Sequence, residues 1–271
     1  MTRPGPAAVP GAVSVEAPRR AWRVTRVWPA VAFGIAVLLL WELVVVIGRV
    51  PAFLLPAPSA IAGQIGAQFD VIVPTAAVTG GNALAGLAAG FVLGMVLAVL
   101  AASSRVFGEL VTPVVLAASA VPIVALAPVF TTMFGSTTEI PRRLVVAVVV
   151  TVPVFVATAR GLRQVQPVHA ELMTALAATP WQRARFVRLP GAVPHVMTGL
   201  RLAAPAAVIA AIVAEYFGGL QNGLGSRISA AAANTAYARA WAFVAASIAL
   251  GLLFHLAGLL VERLVTRGRT A

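Results

Sequence analysis

The stretch ELMTALAATPWQRARFVRLP, Glu171 to Pro190, sets one carboxylate, three arginines, a tryptophan and two prolines between two apolar runs. Those residue types suit recognition more than bond-making. Trp and Arg are common anchors at protein interfaces, and both also suit the lipid headgroup belt. The groups that could make bonds are scattered. His169, His195 and His255 have no metal-like spacing, and no local Ser-His-Asp or paired-carboxylate arrangement is visible. The chain has no cysteine, which excludes disulfides, zinc thiolates and iron–sulfur clusters. It also has no lysine, since all 20 basic residues are arginine. A Walker A loop needs its Lys to reach the phosphates, so any ATP that powers this chain is bound by another polypeptide. The Gly-rich run GGLQNGLGSR lacks the strand–turn–helix setting of a dinucleotide fingerprint. It reads as a flexible outer loop, in which Gly218, Gly219, Gly223 and Gly225 leave the backbone free to fit a close neighbour.

These residues must be positioned by membrane helices. The chain is 60% hydrophobic and 10% charged, against roughly 45–50% and 25% in soluble domains. A soluble globule of this length would have too little polar surface to cover itself. The apolar runs recur along nearly the whole chain, so it reads as one transmembrane domain over residues 22–265. Residues 1–21, rich in Pro, Ala and Gly, read as a disordered cytoplasmic tail. Residues 266–271 read as a second cytoplasmic tail.

A helix needs about 20 apolar residues to span the bilayer core. The expected spans are Pro29–Ile47, Asn82–Ala102 with Val71–Gly81 as its outer extension, Leu110–Phe134, Leu144–Ala159, Val193–Phe217 and Ala240–Val261. The segment from Gly48 to Asp70 reads as a loop and a short outer helix. With the N-terminus inside, 15 arginines fall on the cytoplasmic side and five outside, at 49, 142, 143, 227 and 239. This bias follows the positive-inside rule. It puts both termini in the cytoplasm and accounts for the net charge of +12 without nucleic acid.

Within this frame the opening stretch reads as helix, break, helix. Good helix formers fill Glu171 to Ala178, and Pro180 restarts the chain with Thr179 as N-cap. Pro190 is expected to stop the second helix. Gly86, Gly90, Gly94, Ala98 and Ala102 recur every four residues and share one helix face, which suits close backbone packing. Pro122, Pro128 and Pro153 lie inside expected spans and are candidates for hinges or for lining a translocation path. Glu42 is expected to snorkel or to make an internal hydrogen bond. Glu215 is placed at the outer mouth of the path, or paired with an arginine such as Arg227. Arg201 is expected to be a topology anchor.

The opening stretch resembles the cytoplasmic loop of ATP-binding-cassette importer permeases. That loop has the pattern Glu-Ala-Ala, three residues, Gly, nine residues, Ile, one residue, Leu-Pro. Glu171, Val187, Leu189 and Pro190 fall at its Glu, Ile, Leu and Pro positions, while Leu172 and Met173 replace the alanines and Ala177 the glycine. VPIVALAPVFTTMFG, GAVPHVMTGLRLA and AEYFGGLQNGLGSRI are similar to segments of the nitrate/sulfonate/taurine-type branch. The resemblance runs from about Trp41 to Arg263. It implies an all-α, type I importer permease with about six transmembrane helices, multi-pass in a bacterial cell membrane. It implies a coupling segment near residues 160–192 that docks on an ATPase through Glu171, Ala175, Ala177, Ala178, Thr179, Pro180, Trp181 and Arg185. The implied partners are two cytoplasmic ATPase subunits, a second permease copy, an extracytoplasmic solute-binding protein and membrane lipid. No cofactor is implied and the chain itself catalyses nothing. The implied solute is a sulfonate, nitrate, or a pyrimidine or vitamin precursor. The alternatives left open by the residues are an ion-coupled secondary transporter and a membrane-embedded enzyme.

Overall fold

The computed structural model describes residues 27–267. Among them are eleven α-helices and no strand: α1 (Val27–Ile47), α2 (Pro58–Ala67), α3 (Phe69–Ser103), α4 (Arg105–Ala118), α5 (Ile123–Phe134), α6 (Ile140–Arg163), α7 (Pro167–Ala175), α8 (Pro180–Arg183), α9 (Leu189–Tyr216), α10 (Leu224–Ala233) and α11 (Tyr237–Thr266). A π turn over Ala184–Arg188 joins α8 to α9. The tail expected over residues 1–21 lies outside the described residues, as do the last four residues of the expected C-terminal tail.

Small residues decide the core. Gly86, Gly90, Gly94 and Ala98 of α3 are buried, and the three glycines meet α6. A Cβ on Gly90 would stand 2.8 Å from the Val150 Cβ, and one on Gly94 would stand 3.0 Å from the Val154 Cβ. A Cβ on Gly86 would collide with Val146. Only bare backbone lets the two helices come this close, and the gain is dispersion contact. The stripe expected from the sequence is therefore internal packing. On its other side α6 meets α9, where Gly161 admits Ala192 and His195, and Gly199 admits Val154 and Ala157.

These contacts fix the number of crossings. Residues 86, 90 and 94 of α3 meet 146, 150 and 154 of α6 in the same order, so the two helices run parallel. The chain between them must return across the membrane, and only α4 and α5 are available to do it. They are not the single straight span expected over Leu110–Phe134. The two helices meet at 99° across a four-residue break. The cause is Pro122, which has no N–H to give and disfavours helix at Val121. The last carbonyls of α4 are closed by turn bonds, Ala120 N–H to Ala117 O at 3.0 Å and Val121 N–H to Ala118 O at 3.3 Å. Helix then restarts with Pro122 at the N-cap. Counting this elbow as one span gives six, with α1, α3, α6, α9 and α11 as the other five.

α1 lies at the periphery, with Trp28 73% and Phe33 72% exposed. Such apolar surface suits lipid. Two contacts tie it to the bundle. Trp41 meets Trp241 of α11 edge to face at 5.6 Å. Glu42 accepts from the Ser59 N–H at 2.9 Å and the Ser59 hydroxyl at 2.7 Å. The internal hydrogen bond expected for Glu42 thus caps the first turn of α2, where a carboxylate also complements the helix dipole.

Candidate functional site

Two polar constellations stand out from the apolar bundle, one at each end. The first is the hairpin between α6 and α9. α6 ends at Arg163, and Pro167 opens α7. α7 closes by a Schellman motif: Ala178 N–H reaches Met173 O at 2.9 Å, and Ala177 N–H reaches Thr174 O at 3.0 Å. The motif needs a left-handed residue, and Ala177 takes that role at φ 48°. This is the position where the resembling loop has glycine, and the backbone shows why: glycine pays no Cβ penalty there.

Thr179 then caps α8, as its type and place suggested. The Gln182 N–H donates to Thr179 Oγ1 at 3.3 Å, and the Thr179 N–H donates to Gln182 Oε1 at 2.8 Å. This reciprocal pair is a capping box, and Gln182 is a member the sequence reading did not single out. Pro180 sits in the first turn. Trp181 is 71% exposed, and Glu171, Ala175 and Arg185 are exposed beside it in the chain. Ala178 is half-buried at the turn.

Pro190 does not stop the second helix. From Pro180 to Tyr216 the chain forms one helical rod of 37 residues. The rod accommodates Pro190 by widening the turn before it, where the Leu189 N–H reaches back five residues to Ala184 O. A regular turn would press the proline ring on the carbonyl four residues earlier. The rod therefore links the exposed hairpin to the opposite end of the bundle.

At that opposite end lies the second constellation. Glu215 is fully buried. Its Oε2 accepts from the Thr79 hydroxyl at 2.9 Å and from the Gly225 N–H at 3.0 Å. Thr79 Oγ1 in turn accepts from the Leu224 N–H at 2.9 Å. Two residues, one on α3 and one on α9, thus satisfy the first N–H groups of α10. Glu215 neither lines an open mouth nor pairs with Arg227, which is exposed. The close approach requires glycine, since a Cβ on Gly223 would overlap the Glu215 carboxylate.

Beside it, Glu139 accepts from Asn222 Nδ2, Asn82 Nδ2 and Arg142 Nη1, each at 2.8 Å. Arg142 also donates to Asn222 Oδ1 at 2.7 Å and to the Leu220 carbonyl. Arg143 Nε reaches Asn82 Oδ1 at 3.1 Å. Arg142, counted from the sequence as an outer topology charge, is 2% exposed and clamps the loop after α9. Burial pushes the Glu139 carboxyl up, but the Asn222 and Asn82 hydrogen bonds and the Arg142 charge outweigh it and hold it below its ordinary 4.5. The loop beneath takes its shape at Gly219, with φ 83°.

The four expected path or hinge residues do not converge. Pro122 forms the elbow, Pro128 lies exposed within α5, Pro153 is half-buried in α6, and Glu215 sits in the outer network. Arg201 does more than anchor topology. It pairs with Glu262 at 3.1 Å, and Glu262 also accepts from Thr198 at 3.1 Å, joining the middle of α9 to the last turns of α11.

Residues 90–269 match the family described as binding-protein-dependent transport system inner membrane component. The chain is 31% identical over 248 residues to the riboflavin transport system permease protein of Chloroflexus aurantiacus, covering 89% of this chain and 91% of the relative. It is 30% identical over 198 residues to a probable ABC transporter permease protein of Haemophilus influenzae, covering 73% and 79%. It is 38% identical over 143 residues to the formylaminopyrimidine transport permease protein of Halalkalibacterium halodurans, covering 52% and 55%. The fold superposes on the MetNI methionine ABC transporter in inward-facing form, with a TM-score of 0.63 at 20% identity over 73% of this chain and 98% of that one. The chain therefore belongs to the binding-protein-dependent transport inner membrane components, as a multi-pass permease of the ATP-binding-cassette importer class in the bacterial inner membrane.

Proposed function

We propose that two ATPase subunits grip the hairpin around Glu171, Ala175, Ala177, Ala178, Thr179, Pro180, Trp181 and Arg185, and drive import through a pathway completed by a second copy of this chain. The observation that carries this reading is the rod from Pro180 to Tyr216. One end bears an exposed Trp on a doubly capped turn. The other end holds the outer network through Glu215. A rigid-body push at Trp181 would move both together.

In this reading ATP binding closes the ATPase pair and turns the permease outward, and hydrolysis lets it return. Glu171 supplies an acceptor for a cationic side chain of the ATPase, and Trp181 fills an apolar pocket on it. The elbow at Pro122, and Pro128 beyond it, are the hinge candidates as the helices shift. The hairpin, residues 160–192, is a unit within the single transmembrane domain. The outer loop after α9 receives an extracytoplasmic binding protein that delivers the solute. The names of two relatives, for riboflavin and for formylaminopyrimidine, support a small nitrogen heterocycle as that solute. A third relative is named for aliphatic sulfonates, which makes a sulfonate the competing outcome.

Uptake into vesicles tests the reading. Transport by the assembled complex should need ATP and survive collapse of ion gradients. Transport that instead stops with the ion gradient would assign the chain to ion-coupled carriers. The double variant E171A/W181A should insert normally and lose most of its ATPase co-purification.

A further inference from the structure

Arg183 and Arg188 line a cavity of about 110 Å³ in the fold of the hairpin, together with Val165, His169, Met173 and Val187. Among the described residues neither arginine is paired with a carboxylate. The ion pairs among the described residues are Arg105–Glu109, Arg142–Glu139 and Arg201–Glu262. Arg183 spends its Nε on the Ala178 carbonyl at 3.2 Å, which leaves its terminal nitrogens free to donate. From Arg160 to Arg188 the chain carries five arginines against the single carboxylate of Glu171. The cavity thus has donors and positive charge but, among the described residues, no protein anion to receive them.

Its level in the membrane indicates where the anion comes from. α9 has 28 residues between Arg188 and the outer loop, or about 42 Å at 1.5 Å per residue. A bilayer with its headgroups is about 40–45 Å thick. With the end of α9 at the outer surface, Arg188 falls at the inner headgroups. The neighbouring Val168, level with this end of the rod, is 70% exposed, which suits the apolar edge of the membrane interface.

We propose that this cavity binds the phosphate of an anionic phospholipid of the inner leaflet, with Arg183 and Arg188 donating to its oxygens. The site is separate from the proposed ATPase contact, because Glu171 and Trp181 do not line it. A bound headgroup would brace α7 against the foot of the rod.

The test uses the full-length chain, with any subunits that accompany it, equilibrated in vesicles of equal parts phosphatidylglycerol and phosphatidylcholine. It is then extracted, and the retained lipids are counted by native mass spectrometry. The wild type should retain phosphatidylglycerol preferentially, and R183Q/R188Q should cut that retention by about tenfold. The control R263Q/R267Q, with the same loss of charge, should change it little. If the double variant does not stay monodisperse, R188Q alone is read, with about a threefold loss expected. Equal loss in the control would mean diffuse attraction and would overturn the site. Displacement of the lipid by millimolar inorganic phosphate would make the ligand a free anion and overturn the lipid assignment. Unchanged retention in the arginine variants would overturn both.

Discussion

Thr79 and Glu215 lie 136 positions apart and share a buried hydrogen bond of 2.9 Å. The same hydroxyl accepts from the Leu224 N–H, so three helices meet at one oxygen. In an apolar bundle such a junction is costly to half-break, because the orphaned partners stay dry.

Replacing Thr79 by Val keeps the volume but removes the oxygen. The Leu224 N–H then has no partner and Glu215 keeps only the Gly225 N–H. The expected cost is about 1–3 kcal/mol, read as a melting shift of about 2–8 °C in detergent. Thr79→Ser should restore most of it. A Ser variant no better than the Val variant would show that the hydroxyl is not the junction.

Gly90 should be among the least tolerant positions. An added Cβ would stand 2.5 Å from the Ala147 carbonyl oxygen and 2.8 Å from Val150 Cβ, whereas Gly34 has open space around it. Gly90→Leu should abolish monodisperse protein, since overpacking costs about 1–3 kcal/mol for a few extra methylenes and here backbone must move. Gly34→Leu should leave the yield unchanged. Equal yields would contradict the parallel packing of α3 on α6.

Ala177 pays for a left-handed backbone at φ 48°. Ala177→Gly should remove about 0.5–1 kcal/mol of strain. Hydrogen exchange of the amides around the turn should slow by about 2–5-fold, with residues outside the hairpin unchanged. Faster exchange would mean that the turn is not closed as described.

Glu139 gives the outer network a pH dependence. Its carboxyl is held below the ordinary value in the folded chain, so the folded state binds fewer protons than the unfolded one in that range. Its stabilising effect is complete above the ordinary value of 4.5 and is lost as pH falls through the lower folded value. Melting temperature measured from pH 7 to pH 3 should fall more steeply for the wild type than for Glu139→Gln. Parallel curves would remove Glu139 from the account.

How much of this was legible beforehand differs from residue to residue. Hydropathy located every span, because apolar length is a direct property of sequence. The spacing of Gly86, Gly90 and Gly94 announced a packed face, although not its partner α6. Thr179 and Pro180 announced their cap, because capping is local. Pro122 is a hinge candidate from the sequence but is not separable there from Pro128 and Pro153, which, like Pro113, sit in unbroken helices. Pro190 was misread as a stop because a π turn absorbs it. The Glu139–Arg142–Asn222–Asn82 network is invisible in the sequence, because its hydrogen bonds join residues 57 to 83 positions apart, save the local Arg142–Glu139 contact. Arg142 therefore looked like a loop charge.

The central claim is that Trp181 is held by a separate ATPase. The chain has no native cysteine, so Trp181→Cys gives a single reactive site for a thiol crosslinker in intact cells. Trp181→Cys should give a covalent adduct with an ATPase subunit, and Gly34→Cys, on the peripheral α1, should give none. Adducts with lipid alone from Trp181→Cys, while ATP-driven uptake persists, would contradict it.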